Sequence, residues 1–259
     1  MVHELKASQF HTWMTMRKLE LLEIVSNSSN PTYQVDINSC IVGADDGTML
    51  MGVDIPITVD ITASGANGLD TGSEAANTWY YIWLIYNPAT DTTAGLFSTS
   101  STSPTLPSGY TKKRLIGAVR NDNSSDLLNF IQNNYVVSYN GTQVALFNGS
   151  ATGWTNINLD NYVPTSKAAR SFLHLASLPN SSDASVQSSS VGWDGSHPFF
   201  LCYSFQLDYA GPPATTTLFY NATQSALPVR DASDPDFYYR NSSSNIRCHV
   251  YVQGFELTL

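Results

Sequence analysis

Charged residues are scarce in this sequence. Asp, Glu, Lys and Arg together make up 13% of the 259 residues, and their balance is acidic, with a net charge of −9 at pH 7. This balance excludes a nucleic-acid partner, because binding to a phosphate backbone requires a basic surface that releases counterions. Glutamate is rare and the aspartates fall mostly in turn-like stretches, so the sequence gives no support for the opposed carboxylates of a glycosidase.

Cysteine is also scarce. Cys40, Cys202 and Cys248 lie far apart and show no C-x-x-C spacing, which excludes the common zinc motifs and a small disulfide-stapled scaffold. We therefore expect buried thiols at these positions.

No apolar run in the sequence is long enough to cross a bilayer. Arg17, Lys18 and Glu20 fall where a signal peptide would be hydrophobic, so the sequence predicts no membrane insertion and no export signal. We expect the chain to be made and folded in a cytoplasm.

Ser, Thr, Asn, Tyr and Gly dominate the polar residues, a composition that favours strands and turns over helices. The segment Trp79–Tyr86 is apolar on both of its alternating faces, a pattern typical of a central strand covered on both sides. Strands predicted at Gly95–Thr99 and Tyr110–Val119 would complete a three-stranded meander with it. The basic run Lys112–Arg114 is interpreted as charge on an edge strand.

The sequence predicts an all-β protein with two antiparallel β-sandwich or jelly-roll-like modules and a short N-terminal arm. Residues 1–17 form the arm, residues 18–135 the first module and residues 136–259 the second, with the boundary between about Gln132 and Asn140. The serine-rich stretch of residues 179–198 is interpreted as an exposed loop on the outward-facing second module, because it has too little apolar surface to order compactly.

Aromatic residues make up 12% of the chain, and two groups of side chains are candidates for contact with partners. Phe10, Trp13 and Met14 are candidate anchors in the arm, although a strand or loop folded onto its own module is an equal alternative for residues 1–17. The second group lies in or beside loops, where amphipathic rings stack on sugars or proteins. Its members are Trp193, Tyr209, Tyr238 and Tyr239.

Metal, cofactor and catalytic motifs are not predicted. Asp231, Asp234 and Asp236 are close enough to hold a hard cation, but the stretch lacks the glycine and the terminal glutamate of a calcium loop. The five histidines are dispersed, and His174 and His249, in apparent strands, are interpreted as satisfied or surface side chains. The stretch Gly149–Gly153 lacks the G-x-S-x-G spacing of a nucleophile elbow.

Several blocks of strand and turn residues follow one another in the first half of the chain. They are Val59–Ile61, Gly65–Ser73, Thr78–Ile85, Leu96–Ser100, Ser103–Tyr110 and Lys113–Gly117. In this order they resemble a module found in tail-fibre-like and other surface structural proteins of bacteriophages and prophages. The resemblance covers roughly residues 18–132, and it continues more faintly in Trp154–Thr165 and Val250–Phe255.

The resemblance implies a non-enzymatic structural protein on the surface of a virion, either a tail fibre-type protein or a capsid decoration, with other virion proteins as partners. It also implies a homotrimer, and the two apolar faces of Trp79–Tyr86 independently favour some oligomer. A role in host attachment, with a bacterial surface glycan as ligand, is compatible with it. The alternatives are a carbohydrate-binding receptor-recognition module and, with less support, a polysaccharide depolymerase.

Overall fold

The computed structural model describes residues 20–48, 50–53, 55–179, 187–192, 198–208, 216–220, 222–228 and 235–259. These residues form eighteen β-strands and no helix, which confirms the predicted all-β class. A helix with the length and apolarity of a membrane span is therefore also not found in these ranges. The chain divides into two compact units, unit 1 ending at Val137 and unit 2 running from Ser138 to Thr258.

Unit 1 contains nine strands in two sheets. They are β1 (Glu20–Ser26), β2 (Gln34–Gly43), β3 (Leu50–Val53), β4 (Ile57–Asp60), β5 (Gly68–Leu69), β6 (Thr78–Asn87), β7 (Thr92–Ser98), β8 (Lys112–Asn121) and β9 (Phe130–Asn133). One sheet has the order β9-β1-β2-β3. Strand β3 pairs with Cys40–Gly43 of β2, and β4 pairs with Gln34–Ile37 of the same strand. The second sheet has the order β5-β7-β6-β8. Every ladder in these two sheets is antiparallel except β5 with β7.

Strand β6 is the buried centre of its sheet, as its two apolar faces predicted. The side chains from Tyr80 to Tyr86 are all buried, and Ile82, Leu84 and Ile85 have no exposed surface. The prediction of a meander was wrong, because β8 pairs with β6 and not with β7. The connection of residues 99–111 is long enough to carry the chain across to the other side of β6, whereas a meander needs a short turn.

The two sheets of unit 1 approach each other closely at glycines. A Cβ atom placed on Gly95 of β7 would lie 2.2 Å from Cγ2 of Val59 on β4. A Cβ atom on Gly117 of β8 would lie 2.8 Å from Oε1 of Gln132 and 3.0 Å from Cδ1 of Ile24. Glycine inside a strand commonly marks such a close approach, and these contacts build the sandwich core.

The basic run Lys112–Arg114 lies on β8, the last strand in the order of its sheet, as predicted for an edge. Lys112 Nζ lies 2.6 Å from Asp46 Oδ2, and Arg114 Nη1 lies 3.6 Å from Asp45 Oδ1. Lys113 donates to the carbonyl oxygen of Thr102 at 3.1 Å. The three cations are therefore engaged within unit 1.

Unit 2 also contains two sheets. Its strands are β10 (Val136–Gly149), which begins at the end of unit 1, β11 (Thr155–Ile157), β12 (Ala168–Pro179), β13 (Gln187–Gly192), β14 (Pro198–Asp208), β15 (Thr216–Tyr220), β16 (Ala222–Pro228), β17 (Phe237–Asn241) and β18 (Ile246–Leu257). One sheet has the order β16-β12-β18-β10, and the other has the order β11-β17-β13-β14-β15.

The expected module boundary contains a turn and then a strand. Asn134 adopts a φ of 52°, a left-handed conformation that asparagine tolerates, and the chain turns at Asn134 and Tyr135. Strand β10 then starts at Val136. The division between the two compact units falls inside this strand, after Val137.

The prediction of an exposed loop for residues 179–198 is wrong at Gln187–Gly192. These residues form β13, which lies between β17 and β14 in its sheet. Ser189 and Val191 have no exposed surface. Ser177 Oγ donates to Ser189 Oγ at 3.0 Å, and Ser189 Oγ donates to Asn241 Oδ1 at 2.8 Å. Asn241 Nδ2 then donates to the carbonyl oxygens of Gly149 and Ile246 at 2.9 and 3.2 Å. These bonds allow serine to be buried between the sheets, because a buried hydroxyl with a partner does not carry the cost of an unmade hydrogen bond.

Candidate functional site

Unit 2 has a groove across three neighbouring strands of one sheet, with a volume of about 680 Å³. Strand β18 lies between β12 and β10, so Tyr251 on β18 stands at the centre of the groove. The residues that line it come from all three strands. They are Ser138, Tyr139, Gly141, Thr142, His174, Tyr251, Val252 and Gln253.

Strand alternation positions the groove residues on β18. Cys248, Val250 and Val252 have no exposed surface and face the core. Successive side chains of a strand point to opposite faces, so Tyr251, which is half-buried, belongs to the other face. On β12, His174 is the direct cross-strand partner of Tyr251.

A β-bulge interrupts the β12–β18 ladder beside the groove. Phe172 pairs with Gly254 and Leu173 pairs with Val252, so Gln253 is the extra residue without a partner on β12. Bulges bend the strand, re-aim a side chain and occur frequently next to functional sites. Gln253 is exposed at this position.

Aromatic rings surround Tyr251 on its own sheet. The ring of His174 lies edge-on to it, with centroids 5.8 Å apart and an interplanar angle of 62°. The ring of His249 lies nearly parallel to it, with centroids 6.2 Å apart and an angle of 14°. Phe147 on β10, which is 65% exposed, packs in turn against His249, with ring centroids 4.8 Å apart. Neighbouring rings therefore restrict the orientation of Tyr251.

Tyr139 and Gly141 shape the β10 side of the groove. The hydroxyl of Tyr139 donates to the carbonyl oxygen of Tyr162 at 2.6 Å, and its ring lies edge-on to Phe255 with centroids 6.0 Å apart. Gly141 has a φ of 146°, and no atom lies within 4 Å of where its Cβ would be. The missing side chain leaves this part of the groove open.

The described lining residues include no Asp, Glu, Lys or Arg. They offer the exposed hydroxyls of Ser138 and Thr142, the exposed amide of Gln253, and tyrosine and imidazole rings. This set can donate and accept hydrogen bonds and can present an apolar ring. It is suited to the recognition of an uncharged polar ligand.

His249 lies beside the groove on β18. It is 3% exposed, and neither ring nitrogen has a hydrogen-bond partner. The prediction of a satisfied or surface histidine is therefore wrong for this residue. Burial lowers the pKa of His249 below its ordinary value, because a low-polarity environment disfavours the charged imidazolium.

Two of the seven predicted contact residues, Tyr238 and Tyr239, lie in the part of the chain that the structure describes. Phe10, Trp13, Met14, Trp193 and Tyr209 lie outside the described residues. Tyr238 and Tyr239 lie in strand β17, where Tyr238 is half-buried. Tyr239 is a core side chain, 4% exposed, and its ring packs where a Cβ on Gly149 would be 2.8 Å away. Tyr239 is therefore not available as a ligand contact, which corrects that prediction.

The alternative calcium site is only partly described. Asp231 and Asp234 lie outside the described residues. Asp236 accepts hydrogen bonds from Asn156 Nδ2 at 3.1 Å and from the backbone amide of Leu159 at 2.8 Å. In the part of the chain that the structure covers, no group of three or more His, Cys, Asp or Glu side chains is arranged to hold a metal ion.

The thiols of Cys40 and Cys248 are buried, as predicted. The side chain of Cys202 lies outside the described residues. Burial raises the pKa of the Cys40 thiol to about 12, against a smaller opposing effect of the Arg114 charge. A thiol with this pKa is protonated at neutral pH and is a poor nucleophile.

No protein-family model and no curated protein matches the chain. A solved structure found by comparison of folds is a Bacillus thuringiensis Cry1Da tryptic core variant, with a TM-score of 0.20 and 9% sequence identity. The alignment covers 98% of this chain and 55% of that chain. A likeness at this TM-score carries no argument about fold or function.

Proposed function

We propose that this protein is a non-enzymatic structural protein of a bacteriophage virion, displayed on the particle surface as a tail fibre-type protein or a capsid decoration. The ordered blocks that resemble phage surface proteins carry this proposal. Within unit 1 they correspond to β4, β5, β6, β7, β8 and the connections between these strands. Buried strand and turn residues define a scaffold, so the likeness concerns architecture and not an active site.

The proposal gives the two units different tasks. The basic side chains at the edge of β8 are engaged within unit 1, and β6 is buried by its own chain. Unit 2 carries the groove around Tyr251, which is open to solvent on three strands. Contact with other virion proteins is proposed for the chain as a whole, and host attachment is proposed for unit 2.

A homotrimer remains part of the proposal and rests on the resemblance. The physical argument from Trp79–Tyr86 no longer supports it, because seven consecutive side chains of this segment, Tyr80–Tyr86, are already buried within unit 1. Repetition of a weak contact in a cyclic oligomer would still raise the avidity of attachment. Light scattering on the purified protein measures the mass directly, and a monomer at micromolar concentration would contradict the trimer.

The groove favours a carbohydrate-binding module as the second candidate function. This function needs no particle, so the two candidates differ in where the protein is found. Phage particles purified through a density gradient from a producing host can be probed with an antibody against this chain, with an abundant host protein as the contamination control. We expect the chain to sediment with infectious particles, whereas recovery only in the soluble fraction would favour the second candidate.

A further inference from the structure

We infer that the groove of unit 2 is a binding site for a neutral oligosaccharide, with Tyr251 as its platform. The inference rests on the attachment role proposed for unit 2 and names its ligand class. The groove volume of about 680 Å³ lies within the range of about 300 to 1,000 Å³ that is typical of small-molecule sites.

The position of Tyr251 supports a stacking role. It lies on the middle one of the three strands that form the groove, it is half-buried, and it lines the groove. A tyrosine ring offers an apolar face together with a polar hydroxyl. A pyranose ring has the complementary chemistry, since its C–H bonds form an apolar face and its hydroxyls lie around the edge.

The polar groups around Tyr251 select an uncharged ligand. Ser138 and Thr142 contribute exposed hydroxyls from β10, and Gln253 contributes an exposed amide from β18. Hydroxyls and amides both donate and accept hydrogen bonds, as sugar hydroxyls do. The described lining contains no Lys or Arg to pair with a carboxylate or phosphate and no Asp or Glu to pair with an amine.

The groove is largely formed before a ligand arrives. The ring of Tyr251 is flanked by His174 and His249 at 5.8 and 6.2 Å, and Tyr139 is fixed by its hydrogen bond to the carbonyl oxygen of Tyr162. The bulge at Gln253 orients its amide beside the groove. A side chain that becomes ordered only on binding costs free energy and reduces affinity. Because these contacts already order the groove side chains, less free energy is lost when a ligand binds.

A panel of short neutral oligosaccharides built from glucose, galactose, mannose and N-acetylated hexosamines tests the inference, with uronic-acid and sulfated oligosaccharides of the same length for comparison. Binding to the intact chain is measured first on an array and then by titration. We expect binding to at least one neutral oligosaccharide and a preference for neutral over anionic ligands.

Two variants connect that binding to the groove. Tyr251→Ala removes the ring, and Gln253→Ala removes one exposed amide, a surface change that should leave folding unaffected. We expect Tyr251→Ala to weaken binding at least about tenfold and Gln253→Ala to weaken it about threefold to tenfold. Tyr33→Ala is the matched control, because Tyr33 is a 36% exposed tyrosine of unit 1 outside the groove, and it should bind as the wild type does.

The inference is overturned if no neutral oligosaccharide binds at about 10 mM, well above the range of specific recognition. It is also overturned if anionic ligands bind preferentially, or if Gln253→Ala and Tyr251→Ala both bind as the wild type does. None of these outcomes bears on whether the protein sediments with particles. Failure of the glycan site is thus distinguishable from failure of the proposed virion location.

Discussion

His249 and Tyr251 lie on the same face of β18 with their rings nearly parallel, at an angle of 14° and a centroid distance of 6.2 Å. His249 is buried without a hydrogen bond to either ring nitrogen, whereas Tyr251 reaches the groove. The proposed ligand platform therefore stands beside a buried histidine whose pKa is lowered by its burial.

Acid should destabilise unit 2 through His249. Burial lowers the pKa of this group in the folded state below its ordinary value of 6.5, so the unfolded chain binds the proton more readily. The stability contributed by the neutral ring is fully present above about pH 6.5 and is lost as the pH falls below it. His249→Phe keeps an aromatic ring at this position but removes the group that binds the proton. We expect the variant to lose stability less steeply than the wild type between about pH 6.5 and pH 5, measured by urea unfolding.

At neutral pH, His249→Phe should be as stable as the wild type or more stable, by up to about 2 kcal/mol, because it removes two buried polar atoms without partners. Gln253→Ala is the control, since it changes an exposed uncharged residue on the same strand and should keep the wild-type pH slope. Equal slopes for His249→Phe and the wild type would contradict this account of the histidine.

Gly95→Ala should destabilise unit 1 by about 1 to 3 kcal/mol through overpacking, because its new Cβ would lie 2.2 Å from Cγ2 of Val59. Val59→Ala removes that atom. The double variant should therefore be at least about 1 kcal/mol more stable than the sum of the two single effects predicts. Urea unfolding followed by tryptophan fluorescence measures all three variants, and strict additivity would show that the two positions do not meet.

Asn241→Ala should destabilise unit 2 by about 2 to 4 kcal/mol. It removes three buried hydrogen bonds, namely the two that Asn241 donates to the carbonyl oxygens of Gly149 and Ile246 and the one that it accepts from the hydroxyl of Ser189. Each lost bond costs about 0.5 to 1.5 kcal/mol. Asn156→Ala is the matched control, because the side chain of Asn156 is exposed and donates to Asp236 at 3.1 Å in an exposed hydrogen bond. Thermal unfolding should show a change within about 0.5 kcal/mol for the control, and similar losses for both variants would argue against the buried network.

Cys40 should not react with iodoacetamide at pH 8 while the protein is folded. Its thiol is buried and its pKa is raised to about 12, so the reactive thiolate is scarce and shielded. Peptide mapping by mass spectrometry should find Cys40 unmodified in native protein and fully modified after denaturation in guanidinium. Rapid labelling of Cys40 in native protein would contradict its burial in the core of unit 1.

The fold class could be predicted from the sequence because strand periodicity is local. The apolar residues on both faces of β6 identified a covered central strand. Strand β13 was missed because its residues include a run of three serines, which usually indicates a loop. Their burial depends on hydrogen bonds to Ser177 and Asn241, residues that are distant in sequence and therefore invisible to a local pattern.

The groove could not be predicted for a related reason. Residues 138–142, His174 and residues 251–253 meet only because β18 pairs between β12 and β10. The bulge at Gln253 has no sequence signal apart from the following Gly254. His249 was recognised as a strand residue, but its lack of a partner depends on which side chains surround it, such as Phe147.

Labelling of intact phage particles tests the central proposal most directly. Gold-conjugated antibodies raised against unit 2 would be imaged by electron microscopy on unpermeabilised particles, with antibodies against an internal virion protein as the control for particle integrity. The account predicts gold at regular positions on the capsid or tail surface. Particles that carry no gold, while the same antibodies detect the protein in the host lysate, would contradict it.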